Sequence, residues 1–526
     1  MIKFLLYFYQ KSHNYVVIVS KMCTFAKNVF LSVIKLPMLC KKIICVLLFA
    51  LVGCNVMGQT SDSMPILRVN FDGKFKKGMD YVMGQMQLTD TDGSVIELPA
   101  IFKTRGATAS SYMMKPSFNM KLRTDDYSEE LDSALLGMRS CSSWILDGMA
   151  IDRICMRNRV AFDIWNEFSR LPYNTSFDGR YGTEGRFLEV YINNQYYGIY
   201  CLNDRINRKL LNLKKVKEQN DGSVLVRGVL YKSGTSSISN QNEPGYNEDS
   251  TACVVSWHNA WELSYPEDNG GLKTWQPLLD AFAVGKSKAY VKKYFYLQNM
   301  ADYQIHVMAL SIGDNWGNKN HFLSVRNITK DIDDSDPSEA NDRRFVLIPW
   351  DLDTSFGGGY DGRYYDGNYS TWPVNDINKN SLYPVSPVGG DAEYKAILKS
   401  RWEEGRRGAF SIVSVNSKLD GYRDLFLKSG AWQRMVDYFD NKSSKPKYVA
   451  DLSNEIEHIK SWYMNRFFEM DAYFGISDED CIDEINKSQY AIDNNNTIYD
   501  LSGRKMNSQL RKGLYIKDGK KIFIQQ

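Results

Sequence analysis

Over the first third of the chain beyond residue 64, apolar and polar residues alternate. "PILRVNF" (Pro65–Phe71), "YVMGQMQLTD" (Tyr81–Asp90), "SVIELPAIFKTRG" (Ser94–Gly106) and "SFNMKLR" (Ser117–Arg123) carry the period of two of half-buried strands. A turn signal at Asp92-Gly93 separates the second from the third. "RFLEVYINNQYYGIYCLNDRI" (Arg186–Ile206) predicts a hairpin turning at Asn193-Asn194, because asparagine tolerates the positive φ that tight hairpins need. "GSVLVRGVLYKSG" adds a further strand pair.

Elsewhere the period changes. Ile154, Val160, Ala161, Ile164, Trp165 and Phe168 fall at helical spacing and predict a long amphipathic helix. The stretch from Lys288 predicts one helix running to Gly313. "NHFLSVRN" and "RRFVLIPWDLD" then predict a hairpin across the acidic loop from Lys330 to Asp342. After the Gly/Tyr-rich tract from Gly357 to Trp372, three segments show a 3.6-residue period: Ala396–Phe410, Val415–Leu427 and Leu452–Gly475. A β-rich front followed by a helical back is α+β organisation, not alternating βα.

Four divisions are expected: a leader over 1–59, a main domain over 60–475, an Asp/Asn/Ser-rich linker over 476–496, and a small β unit over 497–526. From Met38 the leader reads as a signal segment, with Lys41-Lys42 before an apolar run from Ile43 to Val52 that is too short to cross a bilayer. Two endings stand open: acylation at Cys54, which follows Leu51-Val52-Gly53, or cleavage after Gln59. Either sends the protein out of the cytoplasm, to the cell surface or outer membrane as a lipoprotein, or into the medium.

Composition changes the picture at two points. The formal charge of +3 comes from the leader, since residues 1–54 hold seven basic and no acidic side chains. The remainder has 58 basic against 62 acidic residues, so a nucleic-acid footprint is not expected. The five cysteines after Cys54 are widely spaced without a CxxC pair, and are read as buried free thiols.

The candidate chemistry is carboxylate chemistry. "FVLIPWDLDTSFGGG" drives an apolar strand into Asp351 and Asp353; two residues apart on a strand, they would share a face if the strand continued that far. Upstream, "SIGDNWGNKNHFL" places Asp314 at a helix end with Asn320 shortly after it. An Asp, a nearby Asn and a later strand-end Asp form a pattern used in phosphoryl transfer, where the first orients the hydroxyl and the other two hold Mg²⁺. Arg105, Lys115 and Lys121 offer cations for phosphates. No GxGxxG or Walker loop occurs in the region of these three cations, and no HExxH or GxSxG appears. "DIDDSDPSE" lacks the glycine of a calcium loop and reads as a solvated hairpin tip.

Seven segments in order, "TRGAT…KPSFNMKL", "ALLGMRSCSSWILDGMAIDRICMRNRVAFDIW", "RFLEVYINNQYYGIYCLNDRI", "DNWGNKNHF", "FVLIPWDLDTSFG", "RWEEGRRGAFS" and "IKSWYMNRFFEMDAYF", resemble the CotH kinase family of spore-coat-protein-H-like proteins. The resemblance spans Pro65 to Gly475. It implies an atypical, two-lobed protein-kinase-like fold that moves phosphate from ATP, with Mg²⁺ or Mn²⁺, to Ser (or Thr) residues of partner proteins. It implies Asp314 as the catalytic-loop Asp, Asp351 as the metal-binding Asp, and Asn320 and Asp353 as supporting ligands. Arg105 and Lys121 fall in the nucleotide-lobe motif, and Arg157 and Asn158 match the family's Arg-Asn pair on the long helix. The sequence departs from the family pattern at Ala107-Thr108, at Asp204 and at "NWGNKN". The tail resembles C-terminal sorting modules of secreted bacterial proteins.

Two rival readings remain. One is a non-catalytic surface-binding or adhesion module on this scaffold, using the Gly/Tyr tract and the insertion from Thr235 to Ser250. The other is a haloacid-dehalogenase-like phosphatase with Asp351 as nucleophile and Asp353 as acid/base, which would need βα units after the motif.

Overall fold

The alternating front of the chain closes on itself. In the computed structural model, strands β1 (Ile66–Phe71), β2 (Val82–Thr89), β3 (Val95–Arg105), β4 (Ser117–Leu122), β5 (Ser143–Asp147), β6 (Gly185–Ile192) and β7 (Gln195–Asp204) form a closed barrel in the order β1-β2-β3-β4-β5-β7-β6. Every pairing is antiparallel except β1 with β6, which closes the ring. Closure leaves no free edge, and the inward positions, among them Leu67, Met86, Phe102, Met120, Leu146 and Leu188, fill the interior.

The structure describes residues 63–524 except 74–75, 77, 107–113, 171, 174–180, 234–244, 247–251, 257–258, 267–272, 279–287, 316–319, 331–341, 360–390, 441–447, 477–497, 501–512 and 518–519. The chain divides into two units, Met1–Ser61 and Asp62–Gln526, and only the second contains described residues. The leader, most of the 235–250 insertion, the Gly/Tyr tract beyond Gly359 and the linker lie outside them.

After a short pair, β8 (Lys217–Glu218) with β9 (Val224–Leu225), comes a six-stranded sheet. Its members β10 (Val229–Ser233), β11 (Gly245–Tyr246), β12 (Ala252–Ser256), β13 (Asn259–Tyr265), β14 (His321–Val325) and β15 (Phe345–Pro349) run in the order β11-β12-β13-β10-β14-β15. The helices among the described residues include α1 (Arg157–Phe168), α2 (Lys288–Tyr294), α3 (Leu297–Leu310), α4 (Ala392–Gly405), α5 (Ile412–Lys428), α6 (Ala431–Asp440) and α7 (Leu452–Phe474). Strands β16 (Ile498–Asp500), β17 (Gly513–Lys517) and β18 (Lys520–Ile524) make a three-stranded antiparallel sheet. The fold class is α+β.

Several expectations meet their elements. Asn193 and Asn194 take φ of 48° and 63°, the left-handed pair of a tight hairpin between β6 and β7. The expected hairpin of β14 and β15 forms in antiparallel register, His321 opposite Pro349. Cys141, Cys155 and Cys201 are buried free thiols. No helix among the described residues is long and apolar enough to cross a membrane.

Others change. The single helix expected from Lys288 is two, because the backbone at Phe295–Tyr296 leaves the helix to pair with β15: Phe295 bridges Phe345, and Tyr296 N donates to Phe345 O at 3.1 Å. The second of these helices stops at Leu310, where Ser311 turns left-handed at φ 50°. Helix α6 was not expected, although Trp432, Met435, Val436 and Phe439 line one buried face at i, i+3, i+4, i+7.

Candidate active site

Strand β15 stops at Pro349, two residues before the first carboxylate. Trp350 N donates to Asn320 O at 2.8 Å, Asp351 adopts φ 58°, and a turn closes with Ser355 N on Leu352 O at 3.1 Å. The period of two therefore ends before Asp351 and Asp353, which do not share a strand face. A left-handed aspartate is uncommon and costs about 1 kcal/mol, a strain of the kind that collects at functional sites.

The turn is held from three sides. Asn158 on α1 accepts the Leu352 N–H at 3.0 Å and donates to Asp147 Oδ2 at 3.1 Å. Ser355 Oγ donates to Arg157 O at 3.3 Å, and Phe356 N donates to Leu310 O at 2.8 Å at the end of α3. Asp314, on the single 3₁₀ turn Gly313–Asn315 beyond α3, donates its N–H to Thr354 Oγ1 at 3.2 Å. Asn315 Nδ2 donates to both Asn320 O and Trp350 O at 2.8 Å, stitching the two loops together.

Carboxylates gather on this frame. The carboxyl of Asp353 is raised well above its ordinary range, first by loss of water and then by repulsion from Asp351, Asp147, Asp152 and Asp314. Two of those four, Asp147 and Asp152, are not among the candidate residues of the sequence analysis, although both lie in a segment quoted there. Asp147 ends β5, where its Oδ1 accepts from Ser117 Oγ at 3.1 Å and from Met149 N at 3.0 Å. Asp152 anchors the start of α1: its Oδ2 accepts from Met156 N and Arg157 N, both at 2.8 Å, and its Oδ1 from Arg157 Nη1 at 2.7 Å.

Cations gather beside them. Arg105, at the end of β3, lies over the Trp350 ring with its guanidinium carbon 5.3 Å from the centroid. Loss of water lowers its pKa, Asp147 and Asp351 oppose the shift, and Arg205 adds to it. Lys232 on β10 is also lowered, first by loss of water; Glu262 and Asp351 raise it, while Arg105 and Arg205 lower it. Sheet register accounts for its place: Lys232 lies opposite Phe322, which lies opposite Ile348, and the Phe322 ring meets Trp350 edge-on at 5.5 Å. Arg105, Arg205 and Lys232 thus come from three separate strands or strand ends to the surroundings of Asp351.

Residues 102–469, more than half of the chain, match the family described as CotH kinase protein. The chain belongs to the CotH kinase family. No curated protein matches it. Membership in a kinase family implies use of ATP, a divalent metal and a protein acceptor in general terms, and it makes the opposed charges around Asp351 the place to look.

In this CotH-family chain eight of the nine residues singled out from sequence or resemblance separate into groups, while the ninth, Lys115, is buried against Met435 and Cys155. Asp314, Asp351 and Asp353 meet in one electrostatic neighbourhood, with Arg105 beside Asp351. Asn320 lies there too, left-handed at φ 59°, and its backbone oxygen serves both Trp350 and Asn315. Arg157 is 2% exposed, clamped on Asp152. Asn158 spends both ends of its amide on the frame. These two brace the site. Lys121 is not brought to it: Nζ bonds Glu130 at 2.9 Å, and four residues of β4, roughly 13 Å of strand, separate it from Ser117.

Among the described residues, no three His, Cys, Asp or Glu side chains converge closely enough to hold a metal ion by themselves. Two observations still fit a divalent cation. The mutual repulsion around Asp353 is the charge excess that such an ion relieves. Among the described residues the buried Asn315 Oδ1 finds no hydrogen-bond partner, while its own NH₂ is fixed by two carbonyls. Mg²⁺ suits a partial site of this kind, because it binds through one or two carboxylates plus substrate phosphates.

Proposed function

We propose that the chain transfers the terminal phosphate of ATP to a Ser (or Thr) hydroxyl of a partner protein, with the chemistry at the Asp351 turn of a two-lobed, kinase-like arrangement. The observation that carries this is the gathering of opposite charges: Asp351 acts on Arg105 and Lys232, both of which also feel Arg205, and on Asp353, which is further repelled by Asp147, Asp152 and Asp314. Phosphoryl transfer needs positioning and charge neutralisation more than covalent help, and such an arrangement supplies both.

In this reading Asp351 and Asp353, supported by Asn320 and Asn315, hold Mg²⁺ or Mn²⁺. A bound divalent ion neutralises the β- and γ-phosphate oxygens. Arg105, Arg205 and Lys232 grip phosphate oxygens, and Asp314 orients the acceptor hydroxyl and takes its proton. Asn158 and Arg157 keep the turn in place. The phosphatase reading loses support, because β15 pairs antiparallel with β14, and no βα unit follows the motif among the described residues.

The proposal extends to export, with lipidation at Cys54 or release after Gln59, and to a sorting role for the tail. The leader pattern and the three-stranded C-terminal unit support it.

Titration calorimetry with ATP tests the site. Wild type should bind saturably only when Mg²⁺ is present, and Asp351→Asn should lose that dependence. Absence of any ATP binding by wild type would overturn the reading.

A further inference from the structure

Lys115 carries an ammonium group into a place with no water. The residue is 0% exposed, and among the described residues Nζ has only sulfur partners, Met435 Sδ at 3.2 Å and Cys155 Sγ at 3.7 Å. Three aromatic rings wall it in: Tyr448 with its centroid 4.6 Å away, Tyr200 at 5.5 Å and Phe439 at 5.9 Å. A buried lysine normally finds a carboxylate or a carbonyl. This one finds a thiol.

The geometry points to a modification site: we propose that Lys115 Nζ and Cys155 Sγ become joined through one bridging oxygen atom when the protein meets hydrogen peroxide. The two groups are already held within hydrogen-bonding range, so closure needs only a small approach. Loss of water lowers the lysine toward its neutral, nucleophilic amine. The same loss pushes the Cys155 thiol up to about 12, which makes the first oxidation slow, while complete burial of the sulfur keeps bulky competing thiols out. Cys155 is also left-handed at φ 56°, strain that a buried non-glycine residue does not carry by default.

The reaction balances. The ammonium first gives its proton to solvent. Thiol, amine and two hydrogen peroxide molecules then yield the S–O–N bridge and three waters. Sulfur and nitrogen each lose two electrons, and the two peroxides take up all four. The S–H bond and one N–H bond break, and one S–O and one O–N bond form. Added dithiol reverses the link by reducing it back to thiol and amine.

The link would tie the chain just before β4, whose Ser117 bonds Asp147, to the chain just before α1, whose Arg157 and Asn158 bond the Asp351 turn. It does not depend on the kinase reading. The test treats the full chain with peroxide, digests it without reductant and sequences the fragments by mass spectrometry. The expected product is a cross-linked pair of peptides containing Lys115 and Cys155, heavier than their sum by roughly 14 Da and separated by dithiothreitol. Recovery of Cys155 as free thiol, as a sulfinic or sulfonic acid, or in a direct S–N link roughly 2 Da lighter than the sum, would overturn the proposal. Cys155→Ser and Lys115→Arg should each abolish the product. Should either fail to fold, fragment ions from the wild type alone still decide.

Discussion

The side-chain oxygen of Asn158 accepts the backbone N–H of Leu352 at 3.0 Å, between the two aspartates of the turn. Because the amide nitrogen of the same residue donates to Asp147 on the barrel, one side chain couples the β-rich front to the turn 194 residues away in sequence. A site built this way has its precision in the supporting contacts as much as in the charged groups.

Asn158→Ala removes both bonds and leaves the Leu352 N–H without its partner. It should lower stability by about 1–3 kcal/mol and weaken Mg²⁺-dependent nucleotide binding more than its effect on the melt explains. Denaturant titration beside calorimetry separates the two effects. Unchanged nucleotide affinity would make Asn158 a purely structural residue.

Two of the basic candidates on the β-rich front should behave differently. Arg105→Ala takes away a charged group beside Asp351 and should weaken nucleotide binding about 10- to 100-fold. Lys121→Ala breaks a partly exposed pair with Glu130 and a contact over the Tyr81 ring, both away from Asp351, and should leave affinity within about twofold. Equal losses from both would place Lys121 in the site after all.

Gly148 follows Asp147 where the strands pass closely. A Cβ there would sit 2.7 Å from Lys115 O and 3.3 Å from Pro116 O, both backbone atoms that cannot move alone. Gly148→Ala should therefore cost about 1–3 kcal/mol in a thermal or denaturant melt. A neutral result would mean that the approach to β4 yields easily.

Asp302 supplies a pH test away from the turn. Its carboxyl is raised to about 6, because loss of water outweighs the Arg401 and Ser169 bonds that pull it down. A folded-state pKa above the unfolded value means that this group's contribution is full below about 4 and is lost as pH rises through about 6, roughly 3 kcal/mol in all. Asp302→Asn should gain on wild type between pH 4 and pH 7, as read from denaturant midpoints. The opposite slope would show that the Arg401 pair dominates.

How much of this was written locally in the chain? The hairpin at Asn193-Asn194 and the long helix ending at Phe168 were, because turn chemistry and periodicity lie within a dozen residues. Asp314 and Asp351 announced themselves by following a helix and an apolar strand. Asp147, Arg205 and Lys232 did not, since Asp147 and Lys232 reach the site through strand register with partners far along the chain and Arg205 follows the end of such a paired strand. Lys121 looked equivalent to Arg105 by type and strand context, yet strand length carries the two to different places. The turn at Asp351 was open as well: a period of two says nothing of where a strand stops, and the left-handed residue that stops it is not glycine.

Labelled phosphate transfer tests the central claim most directly. Purified full chain, incubated with γ-labelled ATP, Mg²⁺ and a Ser-containing protein acceptor, should incorporate label into protein. Asp351→Asn, which keeps a residue tolerant of the left-handed backbone, should lower incorporation by at least about 100-fold while melting like wild type. Equal incorporation by the two proteins would contradict the account.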